Sequence, residues 1–195
     1  MARRSIPWIR QPRVCRSALG NRGICFSLCP TQQQLQERVS TFVREKVIPF
    51  EADPRRTTHG PTEELRRDLV GLARDAGLLS GLPDMHEALR SHVTRAIVFE
   101  AAGYSMLGPI ALNIAAPDEG NMHMLELIAT PSQRKEFLEP MLAGETRSCF
   151  SMTEPPPGAG SDPTALRTVA KPDGEGGYVI DGEKWLITGA EGARF

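Results

Sequence analysis

The feature that most constrains this chain is a change of apolar period near Gly144. Up to that point apolar side chains recur every three to four residues, the spacing that lines one face of an α-helix. Beyond it they come in brief alternating runs separated by Gly, Asp and Pro, a pattern of short strands and turns. A chain written this way is expected to fold as α+β, with an all-α bundle first and the beginning of a β domain after it.

Within the helical part, Thr31 and Gln34 are spaced as a capping box, each side chain within reach of an end amide of the other. Leu35, Val39, Phe42, Val43, Val47 and Ile48 follow at helical spacing, and Pro49 predicts where that helix stops. A second helix is predicted over 62–76, striped by Leu65, Leu69, Leu72, Ala73 and Ala76 and closed by Gly77 as a left-handed cap. A third is predicted from Asp84, boxed by Glu87, carrying Leu89, Val93, Ile97 and Ala101 towards Gly103. Apolar content continues through Ile110, Leu112 and Ile114 and from Met122 to Ile128. Thr130, Pro131 and Gln133 then open a last helix that ends before Gly144.

After Gly144, residues 149–152, 166–170, 178–180 and 185–188 read as strands, with turn-rich 172–177 and Asp181-Gly182 between them. The expected organisation is an extension over 1–30, a helical domain over 31–147 and an incomplete β-barrel domain over 148–195. About three or four short strands make a poor independent core, so truncation is the simplest explanation of the β part.

The charge balance, 23 basic against 24 acidic residues, gives no electrostatic footprint for a nucleic-acid partner. No apolar run approaches the roughly 18 residues of a membrane span. Cys15, Cys25, Cys29 and Cys149 lack a following Cys/His pair at zinc-finger distance. His59, His86, His92 and His123 are scattered without an H-E-x-x-H pattern. No metal centre is expected, and the thiols are read as reduced. The first thirty residues carry Arg3, Arg4, Arg10, Arg13, Arg16 and Arg22 and no acid. They read either as a mitochondrial transit-like leader or as a disordered extension outside the fold. The location is accordingly expected to be cytoplasmic, or the mitochondrial matrix on the transit reading.

Two stretches carry chemistry: FSMTEPPPGAGSD at 150–162 and DGEKWLIT at 181–188. They resemble the T-E-P…G-S-D and G-x-K-x-x-I-T segments of the acyl-CoA dehydrogenase family. The helix over 133–144 resembles the family's lead-in to that loop, and Asp118-Glu119-Gly120-Asn121-Met122 resembles a version seen in one branch. Gly158 to Asp162 alone would be an ordinary turn-forming loop, and Trp185 alone ordinary core. The joint occurrence of the segments, in order and at this separation from Thr31 onward, makes the resemblance specific.

The resemblance implies an oxidoreductase of fatty acid metabolism with FAD as cofactor. The implied reaction is α,β-desaturation of an acyl-CoA thioester. The resemblance further implies that electrons would pass to an electron-transfer flavoprotein and that the full-length parent would be a homo-oligomer. It implies flavin contacts from Phe150, Met152, Thr153, Gly160, Ser161, Leu186, Ile187 and Thr188, with Ser161 also near the acyl-CoA. Thr153 would donate to the flavin ring near its reactive nitrogen. Gly158 and Gly160, lacking side chains, would let main chain approach a pyrophosphate. Pro156-Pro157 looks like an insertion in the commoner loop. Leu186 occupies the place often held by a tryptophan, where it can pack on the ring but cannot stack aromatically. The family's base is a glutamate on a later helical domain; no residue here takes that role, and Glu154 belongs to the loop motif. Two other readings stay open: a non-catalytic FAD/acyl-CoA-binding or assembly module, and a same-fold flavin monooxygenase or nitroalkane oxidase.

Overall fold

The computed structural model describes residues 27–195. The reading of residues 1–30 as an extension, with Cys15 and Cys25, therefore lies almost wholly outside the described residues. Helix α1 spans Pro30–Phe42 and begins two residues earlier than the capping pattern suggested. Cys29 is the cap position, and its N–H donates to Gln32 Oε1 at 3.1 Å. The Thr31–Gln34 box does not form, because Pro30 opens the helix without needing the hydrogen bond its missing N–H would make. The helix continues through a π turn at Val43–Val47 and a 3-10 turn at Ile48–Ala52, so it ends shortly after Pro49, within the stop expected near that residue or shortly after it. Pro49 sits in the first turn of that last segment, where a missing donor costs little.

Helix α2, Glu63–Asp75, is capped by Thr62, whose hydroxyl accepts the Leu65 N–H. Gly77 follows with φ +67, the left-handed conformation its sequence position predicts. The single helix expected from Asp84 to Gly103 is two: α3, Pro83–Leu89, and α4, His92–Ala102. The break falls at Ser91, which caps α4 by accepting the Thr94 N–H. It also rotates the stripe, so Ile97 and Ala101 are buried while Val93 is 57% exposed. Helix α5 is one turn, Gly108–Ala111, and α6 spans Asp118–Ile128. The final helix begins as α7, Pro131–Gln133, under the Thr130–Gln133 capping box. It passes through a π turn at Arg134–Leu138 and ends as α8, Glu139–Leu142.

The main core is built from α1, α2, α4, α5 and the turn at Leu78, with Leu65, Leu69, Val98 and Leu107 at its centre. A second, smaller cluster of Met122, Leu138 and Met141 joins α6 to the final helix. Two strands of two residues, β1 (Arg56–Thr57) and β2 (Gly60–Pro61), pair on the surface ahead of α2, outside the core.

Beyond Gly144 one hairpin forms, β3 (Val169–Pro172) antiparallel to β4 (Tyr178–Asp181), with Val169 opposite Asp181. Every residue of both strands is exposed. The strands expected at 149–152 and 185–188 do not form. Their backbones make isolated bonds instead, among them Cys149 N–H to Phe195 O and Trp185 N–H to Thr153 O. A ladder needs a continuous facing edge, and the described residues supply none there. The fold is thus a helical domain followed by a few strands, with no closed barrel among the described residues.

Candidate functional site

The loop motif is organised around one carboxylate. Glu154 is 2% exposed, and its backbone pairs antiparallel with Gly160, which folds residues 155–159 into a tight lobe. The Glu154 side chain accepts from three backbone N–H groups, those of Ala159, Arg167 and Thr168, at 2.8–3.2 Å. It also accepts from Lys184 Nζ at 3.0 Å. The Arg167 and Thr168 amides hold its carboxyl well below the usual carboxylate range, with Lys184 adding to the effect. Gly158 closes this lobe: a Cβ there would lie 2.7 Å from Glu154 Cβ and 2.8 Å from Pro155 O.

Lys184 binds the second motif to the first. Its ammonium donates to Met152 O at 2.9 Å as well as to Glu154. Beside it, the Trp185 N–H donates to Thr153 O at 3.1 Å. Leu186 follows with φ +52 and is 82% exposed, an uncommon conformation for a bulky residue and one that costs energy to hold.

The same loop is anchored to the helices at Ser148, which is buried. Asp118 Oδ1 accepts both the Ser148 N–H and its hydroxyl, at 2.7 and 2.8 Å. Asn121 Nδ2 donates to Ser148 Oγ and to Cys149 O. Asp118 and Asn121 belong to the segment singled out at 118–122. Arg66, also buried, donates twice to Glu63 and once to Gly144 O, so the start of α2 is tied to the end of the final helix. That pairing holds the Glu63 carboxyl below its ordinary range.

Between these anchors lies a cavity of about 670 Å³, walled by Glu63, Arg66, Asp118, Arg147, Ile187 and Thr188 among others. Of the residues expected to form the site, Ile187 and Thr188 open onto this cavity. Met152 and Thr153 are half-buried and tied to Lys184 and Trp185, while Phe150 and Ser161 are exposed. Gly160 has φ +60, and a Cβ there would meet nothing within 4 Å. The main chain is open on that side, as close approach of a pyrophosphate requires. The residues present therefore fit one edge of a flavin site. Sequence reasoning did not identify Lys184, Asp118 and Asn121 as organising residues. The signal was that each falls inside a segment already singled out.

Models of two domain families match the chain: acyl-CoA dehydrogenase, N-terminal domain, over residues 30–145, and acyl-CoA dehydrogenase, middle domain, over residues 149–195. A probable acyl-CoA dehydrogenase of Mycobacterium tuberculosis, FadE2, is 37% identical over 176 residues, 87% of this chain and 42% of its own length. The solved structure of a Mycobacterium abscessus protein assigned as an acyl-CoA dehydrogenase superposes with a TM-score of 0.69 at 32% identity. That match covers 83% of this chain and 43% of the other. A glutaryl-CoA dehydrogenase from Mycobacterium smegmatis, solved in complex with FADH2, shares the fold at a TM-score of 0.65 and 21% identity, over 85% of this chain and 41% of that one. The chain thus spans less than half the length of these relatives.

Proposed function

The chain belongs to the acyl-CoA dehydrogenase family, and from that membership we propose that it supplies the flavin- and thioester-facing part of an enzyme that desaturates an acyl-CoA between Cα and Cβ. The observation that carries the reading is the joining of the two motif segments. The Trp185–Thr153 bond sets them side by side, with Thr188 opening onto the adjacent cavity. When bound, FAD would supply the two-electron acceptor for hydride.

The protein's own residues position and enclose. Thr153 and Thr188 carry hydroxyls that can donate to the ring. The open main chain at Gly160 can approach a pyrophosphate. Ser161 is exposed, free to meet the pyrophosphate and the acyl-CoA on this reading. Phe150, Met152, Leu186 and Ile187 provide apolar surface that keeps water from the reacting edge. No residue of the chain is assigned the α-proton. Glu154 is unsuited to that task, because its carboxylate is buried and held by three amides and an ammonium. An electron-transfer flavoprotein as the electron acceptor and a homo-oligomeric whole protein belong to the same proposal, as do domains over 31–147 and 148–195.

Titration of the purified chain with FAD, followed by flavin fluorescence, tests the reading. Saturable binding weaker than about 1 μM, reduced by Thr153→Val and by Thr188→Val, is the expected result. No binding at any attainable concentration would overturn it.

A further inference from the structure

We propose that Lys184, paired with Glu154, is the positioning residue that fixes the 152–153 backbone against the 186–188 segment, so that both present a single edge to the cofactor. The inference rests on the flavin reading above and adds a residue that does not itself touch the ring. Lys184 sits where four pieces of chain meet. Its ammonium donates to Met152 O and to Glu154 Oε1, at 2.9 and 3.0 Å. The same carboxylate holds the Ala159, Arg167 and Thr168 amides, and the neighbouring Trp185 N–H closes on Thr153 O.

Beside the Trp185–Thr153 main-chain bond, Lys184 supplies the side-chain hydrogen bonds that join the two motif segments among the described residues. The 185–188 segment forms no ladder, and β3–β4 is exposed on every residue. The loop lobe touches the second motif through one ion pair and two main-chain acceptors. The pair is largely shielded, with side-chain exposure of 20% for Lys184 and 3% for Glu154. Removing one member of such a pair leaves the other as an uncompensated charge. The cost therefore falls on the geometry of 152–154 and 184–188, while the helical core, built entirely from residues before Gly144, is untouched. Leu186 at φ +52 marks the consequence. A left-handed bulky residue persists only where its neighbours over-determine it, and its immediate neighbour is the Lys184–Trp185 anchor.

The test compares the wild-type chain with Lys184→Met and Lys184→Arg, using amide hydrogen exchange without flavin and FAD titration with it. Exchange at Arg167, Thr168 and Trp185 is expected to quicken about tenfold or more in Lys184→Met, with Leu69 in α2 unchanged. FAD affinity and the binding-induced shift of the flavin's visible spectrum should be lost in parallel. Lys184→Arg, which keeps the charge and donors, should restore part of both. Unchanged α2 exchange separates lost positioning from lost folding. Should the wild type bind FAD and Lys184→Met bind it equally well, with the same spectrum, the positioning role is overturned and the flavin reading stands. Should the wild type bind no FAD, the flavin reading falls and this inference with it. Loss of binding with no change in exchange at Arg167, Thr168 and Trp185 would also overturn it, since Lys184 would then act by some route other than the loop.

Discussion

Glu154 shows how a residue's role follows from its donors. A carboxylate receiving three backbone N–H bonds and an ammonium is stabilised in its charged form. Its folded pKa lies below that of the unfolded chain, about 4.3 for glutamate. It therefore contributes stability that is fully present above that unfolded value and is lost as pH falls through the depressed folded one. The amides of Arg167 and Thr168 are accordingly expected to keep their protection down to about pH 4 and lose it only in stronger acid. Hydrogen-exchange protection factors measured across that range check this. Glu154→Gln should remove the protection at neutral pH, because an amide side chain cannot accept from all four donors at once. If protection at Arg167 fell in step with ordinary exposed carboxylates, the loop would be held by something else.

At the scale of elements, the helical junctions decide how the bundle closes. The turn at Gly81 lies against the end of α8 so closely that a Cβ would stand 1.9 Å from Leu142 O. Gly81→Ala must push the two apart and is expected to cost about 1–3 kcal/mol, the range of overpacked cores, read as a lower urea midpoint. Ser91→Ala removes the cap that starts α4 and should cost about 1 kcal/mol, measured the same way. Such a loss would confirm that the α3–α4 break is an ordered cap. The sequence pattern around Asp84 missed this break. Its apolar period ran on across Arg90 and Ser91, and a serine in the middle of a periodic run does not announce that it caps. By contrast, Thr130 was legible as a cap because Pro131 and Gln133 follow it at the offsets of a capping box.

For the whole molecule, the two parts differ in how much of themselves they bury. Both apolar clusters lie before Gly144, while Val169, Tyr178, Val179 and Ile180 of the hairpin are exposed. Catalysis is expected to reflect that division. The chain with saturating FAD and acyl-CoAs of several lengths, without oxygen, should show no useful bleaching of the flavin. Orientation alone forgoes the roughly 10²–10⁴-fold supplied by a general base. Clear substrate-dependent bleaching, abolished by Thr153→Val, would mean that the chain holds a working base.

What the sequence determined by itself was the order of parts and most of the helices. These are set by local rules: apolar period, caps, and prolines and glycines at fixed offsets. The two motif segments were visible for the same reason, as contiguous residues of distinctive type. What only the tertiary structure decided was how those segments meet. Glu154 and Lys184 lie 30 residues apart in the chain, and Asp118 and Ser148 likewise 30. No periodicity encodes such pairings. They arise when burial strips water from a carboxylate and the nearest donors, wherever they come from in the chain, must replace it. The strands expected at 149–152 and 185–188 fail on the same ground: a β pattern states what a segment can pair with, and the pairing exists only where folding brings a second edge alongside.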